Sequence, residues 1–228
     1  GISIPFIIKA YKFGLPKSDV SQLCSCLESL VTRHRLIGTR ADITSRINDV
    51  YQKFKESNST IKPIIDHIEW MKNVDSNSWW WAYWNNRELE RALQGAVNHT
   101  TAKFLLWKNE NHLESQGKSG YSPTRFDYIT SPELEHIAPQ TENPEKGYDT
   151  YDEEFINEHI NSLGNYLLLS KSHNCSVGNK PFAEKRASYT HLEQQREIQE
   201  MTKDNQTWSR ELIQKRKEKI IQYLMTTI

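Results

Sequence analysis

Two short apolar segments, residues 134–138 and 166–169, constrain this chain more than any other feature. Each is too brief for a stable helix. The first runs through Leu134, Ile137 and Ala138 and stops at Pro139, which has no N–H to give a ladder. The second is Tyr166, Leu167, Leu168 and Leu169. Between them lies an acidic insert with Glu142, Glu145, Asp149, Asp152, Glu153, Glu154 and Glu158. Residues 179–189 have helical character, so the order strand, long loop, strand, helix predicts a ββα unit.

The rest of the chain is helical by period. Val20, Leu23, Cys24, Leu27, Leu30 and Val31 fall on one face of a helix from Ser18 to about Arg35. Ser18 is its expected N-cap, and Gly38 lies just past its end. Ile43, Ile47, Val50 and Phe54 mark a second helix; Ile61, Ile64, Ile65, Ile68 and Met71 mark a third, with Pro63 in its first turn. Further helices fit residues 86–93, 100–113, 192–201 and 207–225. The Gly-, Ser- and Pro-rich stretch 116–131 reads as a boundary. The expected fold is therefore α+β and mostly α: a helical bundle over residues 1–125, then a ββα domain with supporting C-terminal helices over 126–228.

At 228 residues the chain has room for two modest domains. No apolar run approaches the roughly 20 residues of a membrane span, and the start has no signal-peptide pattern. The first residue is not Met, from which a piece of a longer polypeptide is expected. Three cysteines without CxxC spacing support neither a disulfide framework nor a zinc knuckle, and fit a reducing cytoplasm. Cys24 is expected to be a small buried hydrophobe. Net charge is zero, so no global basic field advertises nucleic acid. The C-terminal third is nonetheless basic, which suits either phosphate contacts or solvated helix faces. The run from Trp79 to Trp84 suits either stacking on bases or wedging a loop against helices.

The chemistry concentrates around the ββα unit. Phosphodiester hydrolysis needs an activated water, neutralisation of the phosphate and help for the leaving oxygen. A hard divalent cation on oxygen ligands supplies the last two, and a histidine can take the proton from water. Glu135 and His136 are adjacent, so an ideal strand would point them oppositely; a twist before Pro139 would let one bind metal while the other faces the water. Asn174 offers a neutral amide oxygen as a second ligand. Asn165, opening the second strand, is placed to tie the loop backbone and hold the imidazole. A metal-dependent nuclease follows, with a catalytically silent DNA-binding module or a helical protein-interaction module as alternatives.

Glu135-His136-Ile137-Ala138-Pro139-Gln140, then Leu163-Gly164-Asn165-Tyr166-Leu167-Leu168-Leu169, Asn174, and Asn179-Lys180-Pro181-Phe182-Ala183-Glu184-Lys185-Arg186 together resemble the C-terminal nuclease domain of GmrSD-type restriction endonucleases. These belong to the HNH, or His-Me finger, superfamily. The resemblance is close over residues 133–189 and looser through Arg33 to Gly38, Phe104 to Trp107, Trp208 and Arg216. It implies that His136 is the general base, Asn165 the central structural asparagine, and Glu135 and Asn174 the ligands of Mg²⁺ or Mn²⁺. Glu135 stands where many relatives have Asp. Lys185 and Arg186, with Lys180, would meet DNA phosphates. It further implies a cytoplasmic defence protein acting on DNA, including modified phage DNA, with a separate N-terminal nucleotide-binding domain.

Overall fold

The computed structural model describes residues 1–75, 77, 80–116, 132–142, 147–204 and 207–228. Trp79, Glu145, residues 117–131 and the expected boundary at 125/126 lie outside the described residues. The chain divides into two units, one of Gly1–Ala92 with Met225–Ile228 and one of Leu93–Leu224.

The first unit is built on α1 (Ser3–Lys12), α2 (Lys17–Ile37), α3 (Ile43–Lys53) and α4 (Lys62–Asn73), with a 3₁₀ turn at Ala82–Trp84. The expected apolar stripes of α3 and α4 form its core, with Phe6 and Ala10 of α1 and Trp84. In α2 the buried face is Val20, Leu23, Cys26, Leu27 and Leu30, and it continues through Ser29 and Arg33. Cys26 is therefore the buried cysteine, and Cys24, expected to be buried, is half-buried and packed against the same core. On this face Arg33 also points inward, donating to Trp84 O at 2.8 Å and Asn86 Oδ1 at 2.7 Å. Ser18 does not cap α2; the preceding position is Pro16. Gly38 does end the helix, in the left-handed region at φ 65° that glycine tolerates.

Within the aromatic run, Trp84 is core and its indole N–H donates to His34 Nδ1 at 3.2 Å. Trp80 is 49% exposed and lies beneath the Arg46 guanidinium, 4.2 Å from the ring centre.

The second unit carries α6 (His99–Ser115), β1 (Pro132–His136), β2 (Tyr166–Ser170), α7 (Lys171–Val177), α8 (Phe182–Ser188), α9 (Glu193–Met201) and most of α10 (Arg210–Thr227). α5 (Asn86–Gln94) runs across the division at residues 92 and 93. The strands pair antiparallel, with Glu135 opposite Leu167 and His136 opposite Tyr166. The outer edge of β2 is closed by two glutamines of α9: Leu168 N donates to Gln194 Oε1 at 3.1 Å, and Gln195 Nε2 donates to Leu168 O at 3.2 Å. These side chains satisfy backbone groups that an uncovered edge would leave unpaired.

The helix after β2 begins at once, at Lys171, with Ser170 Oγ accepting from His173 N. The helix expected over 179–189 is shortened to Phe182–Ser188, because Pro181 occupies its N-cap. The observed ββα unit is thus β1, β2 and α7, with α8 following it.

Candidate active site

The long β1–β2 connection is closed by one buried side chain. Asn165 Oδ1 accepts from Ala138 N at 2.8 Å and from Trp208 Nε1 at 3.0 Å. Its Nδ2 donates to Ala138 O and Ile160 O, both at 2.9 Å. All four of its amide hydrogen-bonding positions are filled, so Asn165 fastens both ends of the connection to each other and to α10's approach. It does not hold the imidazole: the group beside His136 Nε2 is Asn161 Oδ1, at 3.1 Å.

Gly164 and Arg216 fix the same corner from the other side. Arg216 is buried and donates to Gly164 O at 2.9 Å and Tyr166 O at 2.6 Å, with Glu197 as its counter-charge at 3.3 Å. A Cβ on Gly164 would fall 2.0 Å from Ile213 O, so only glycine lets α10 approach this closely.

β1 carries Glu135 and His136 on opposite faces, yet both line one open cavity of about 360 Å³. Gln140, Asn174, Asn179 and Lys185 also line it. Lys185 reaches in from α8 and is 1% exposed. Its ammonium donates to Glu135 Oε1 at 2.5 Å, His136 O at 3.0 Å and Ile137 O at 3.3 Å. Burial pushes the Glu135 carboxyl up and the Lys185 ammonium down, and each opposes the shift of the other through their ion pair. Attraction within the pair favours the charged forms against the burial that disfavours them.

His136 meets Tyr166 edge-on at 4.9 Å and His99 at 5.9 Å. Burial lowers its pKa below the usual histidine value; the Asn161 hydrogen bond opposes that, while His99 and Lys185 reinforce it.

Asn174, on α7, has an Oδ1 that is buried without a hydrogen-bond partner. A buried, unpaired amide oxygen in a polar cavity is costly unless something binds it. With the Glu135 carboxylate on the same cavity, this is an oxygen donor set suited to a hard divalent cation. His173, next to Asn174 in the sequence, does not line the cavity, and its Nε2 lies 2.8 Å from Ser188 Oγ.

The three expected phosphate contacts are placed very differently. Lys180 is exposed. Arg186 is half-buried, donating to Thr202 Oγ1 at 2.7 Å and Gln199 O at 3.0 Å at the end of α9. Lys185 faces Glu135 rather than solvent, with its ammonium protons committed to the three acceptors above.

The profile of the family described as GmrSD restriction endonucleases, C-terminal domain, matches residues 83–223. The chain belongs to this family. The GmrSD C-terminal match takes in the whole of the cavity, the Asn165 anchor and the Arg216 corner. Membership of a restriction endonuclease family implies a nuclease, with DNA as its substrate. A comparison with curated proteins gives no match. No helix among the described residues is long and apolar enough to cross a membrane.

Proposed function

We propose that this GmrSD C-terminal domain is a metal-dependent DNA endonuclease of the HNH type, with β1, β2 and α7 as its finger. The observation that carries this reading is the cavity that gathers Glu135, His136 and the unpartnered Asn174 oxygen. Glu135 and Asn174 would hold Mg²⁺, or Mn²⁺ in its place. When bound, such a cation neutralises the scissile phosphate and stabilises the leaving oxygen.

The chain's own groups do the rest. His136, kept neutral by burial, accepts the proton of the attacking water. Lys185 favours the ionised form of Glu135 and holds its carboxyl in place through their hydrogen bond. Asn165 keeps the loop backbone closed behind His136, and exposed Lys180 supplies charge for the DNA backbone. In the cell this would be the effector part of a cytoplasmic restriction or anti-phage protein, working with an N-terminal nucleotide-binding domain.

Relaxation of supercoiled plasmid tests metal dependence. Cleavage in Mg²⁺ or Mn²⁺ and none in EDTA is the expected result; equal cleavage in EDTA would exclude the proposed role of Glu135 and Asn174.

A further inference from the structure

Three groups converge on one oxygen beside His136. Asn161 Oδ1 lies 3.1 Å from His136 Nε2, 3.4 Å from Gln140 Nε2 and 3.5 Å from the Tyr166 hydroxyl. The Gln140 amide presents its nitrogen, a donor, to this oxygen, so the two side-chain amides are oriented consistently with each other. A lone pair on His136 Nε2 would then oppose the lone pairs of the same oxygen, so a neutral His136 carries its proton on Nε2.

The backbone around Asn161 is fixed as well. A π-helical turn at Phe155–His159 precedes it, and Ile160 N donates to Phe155 O at 3.1 Å. Ile160 O is taken by Asn165, and the Ser162 hydroxyl donates to His159 O at 2.9 Å. Edge-on contacts with Tyr166 and His99 restrain the imidazole plane. With Nε2 committed, Nδ1 is the ring atom that keeps a free lone pair.

We propose that Asn161 is a positioning residue for His136, fixing the Nε2–H tautomer and the ring plane so that the proton of the attacking water is taken at Nδ1. This rests on the nuclease reading above, in which His136 is the base. Asn161 touches no reacting atom; it acts through the imidazole, as an outer partner fixes the tautomer of a histidine ligand or base.

Asn161→Leu removes the acceptor at similar volume, and Asn161→Asp keeps one. The tautomer is read from ¹⁵N shifts of labelled protein at a pH where His136 is neutral, with His136→Ala assigning the signals. Wild type and Asn161→Asp should show a protonated Nε2 and a bare Nδ1, and Asn161→Leu a mixture. In plasmid nicking, Asn161→Leu should lose about 10- to 100-fold in kcat with KM unchanged, and Asn161→Asp should recover most of it. A wild-type spectrum with the proton on Nδ1 overturns the inference. So does a wild-type kcat in Asn161→Leu while His136→Ala is inactive, and the nuclease reading then stands. Nicking by His136→Ala at the wild-type rate would instead remove the reading beneath it.

Discussion

Lys185 Nζ lies 2.5 Å from Glu135 Oε1, with 1% and 8% of the two side chains exposed. The pair joins α8 to β1 across 50 residues of sequence, and it sets a buried ammonium against the carboxylate expected to bind metal. Removing one partner of such a pair leaves an uncompensated buried charge. Lys185→Met should therefore destabilise the protein by about 3–5 kcal/mol in urea unfolding. A loss within error of zero would mean that Glu135 is solvated or neutral when Lys185 is gone.

The metal ligands can be tested without cleavage. Mn²⁺ binding, followed by calorimetry or electron paramagnetic resonance, should weaken at least about tenfold in Asn174→Ala. It should be lost in Glu135→Gln, which removes the only charged donor of the proposed pair. Unchanged Mn²⁺ affinity in both variants would place the cation elsewhere.

The pH dependence of nicking follows from the direction of the His136 shift. Burial lowers its pKa, so protonation, which abolishes a base, occurs at a lower pH than for a solvated histidine. Activity should persist as pH falls through the usual histidine value of about 6.5 and decline only below it. An acidic limb above that value would contradict the assignment.

Gly164→Ala tests the packing that carries the site. Its Cβ would meet the α10 backbone, Ile213 O at 2.0 Å, which cannot yield as a side-chain tip can. A loss of about 1–3 kcal/mol is expected in urea unfolding. A thermally unchanged variant would show that α10 can draw back from the strand corner without cost.

The apolar stripes of α3 and α4 were legible because their periods are clean, and both strands because each contains a short apolar run, although β1 lies two residues earlier than the expected 134–138, at Pro132–His136. α1 was not read. Its apolar residues occupy several faces, and Ile4 and Ile8 remain exposed, so no single stripe announces it. α7 was missed as a separate helix because its sequence, KSHNCSV, has little apolar patterning; the Ser170 cap and packing on the strands hold it. In the cavity, Glu135, His136 and Asn174 stood out by motif. The partner of Lys185 did not, because a basic residue on a short helix looks the same in sequence whether it faces phosphate or a carboxylate 50 positions away. Asn161 carries no sequence signal: its importance depends on the loop that Asn165 folds back beside β1.

The central claim is that His136 is the base of a metal-dependent nuclease. Relaxation of supercoiled plasmid by wild type and His136→Ala in Mg²⁺, with DNA binding measured in parallel, tests it most directly. The account predicts that wild type relaxes the plasmid while His136→Ala binds DNA but leaves it intact. Relaxation by His136→Ala at the wild-type rate would contradict it.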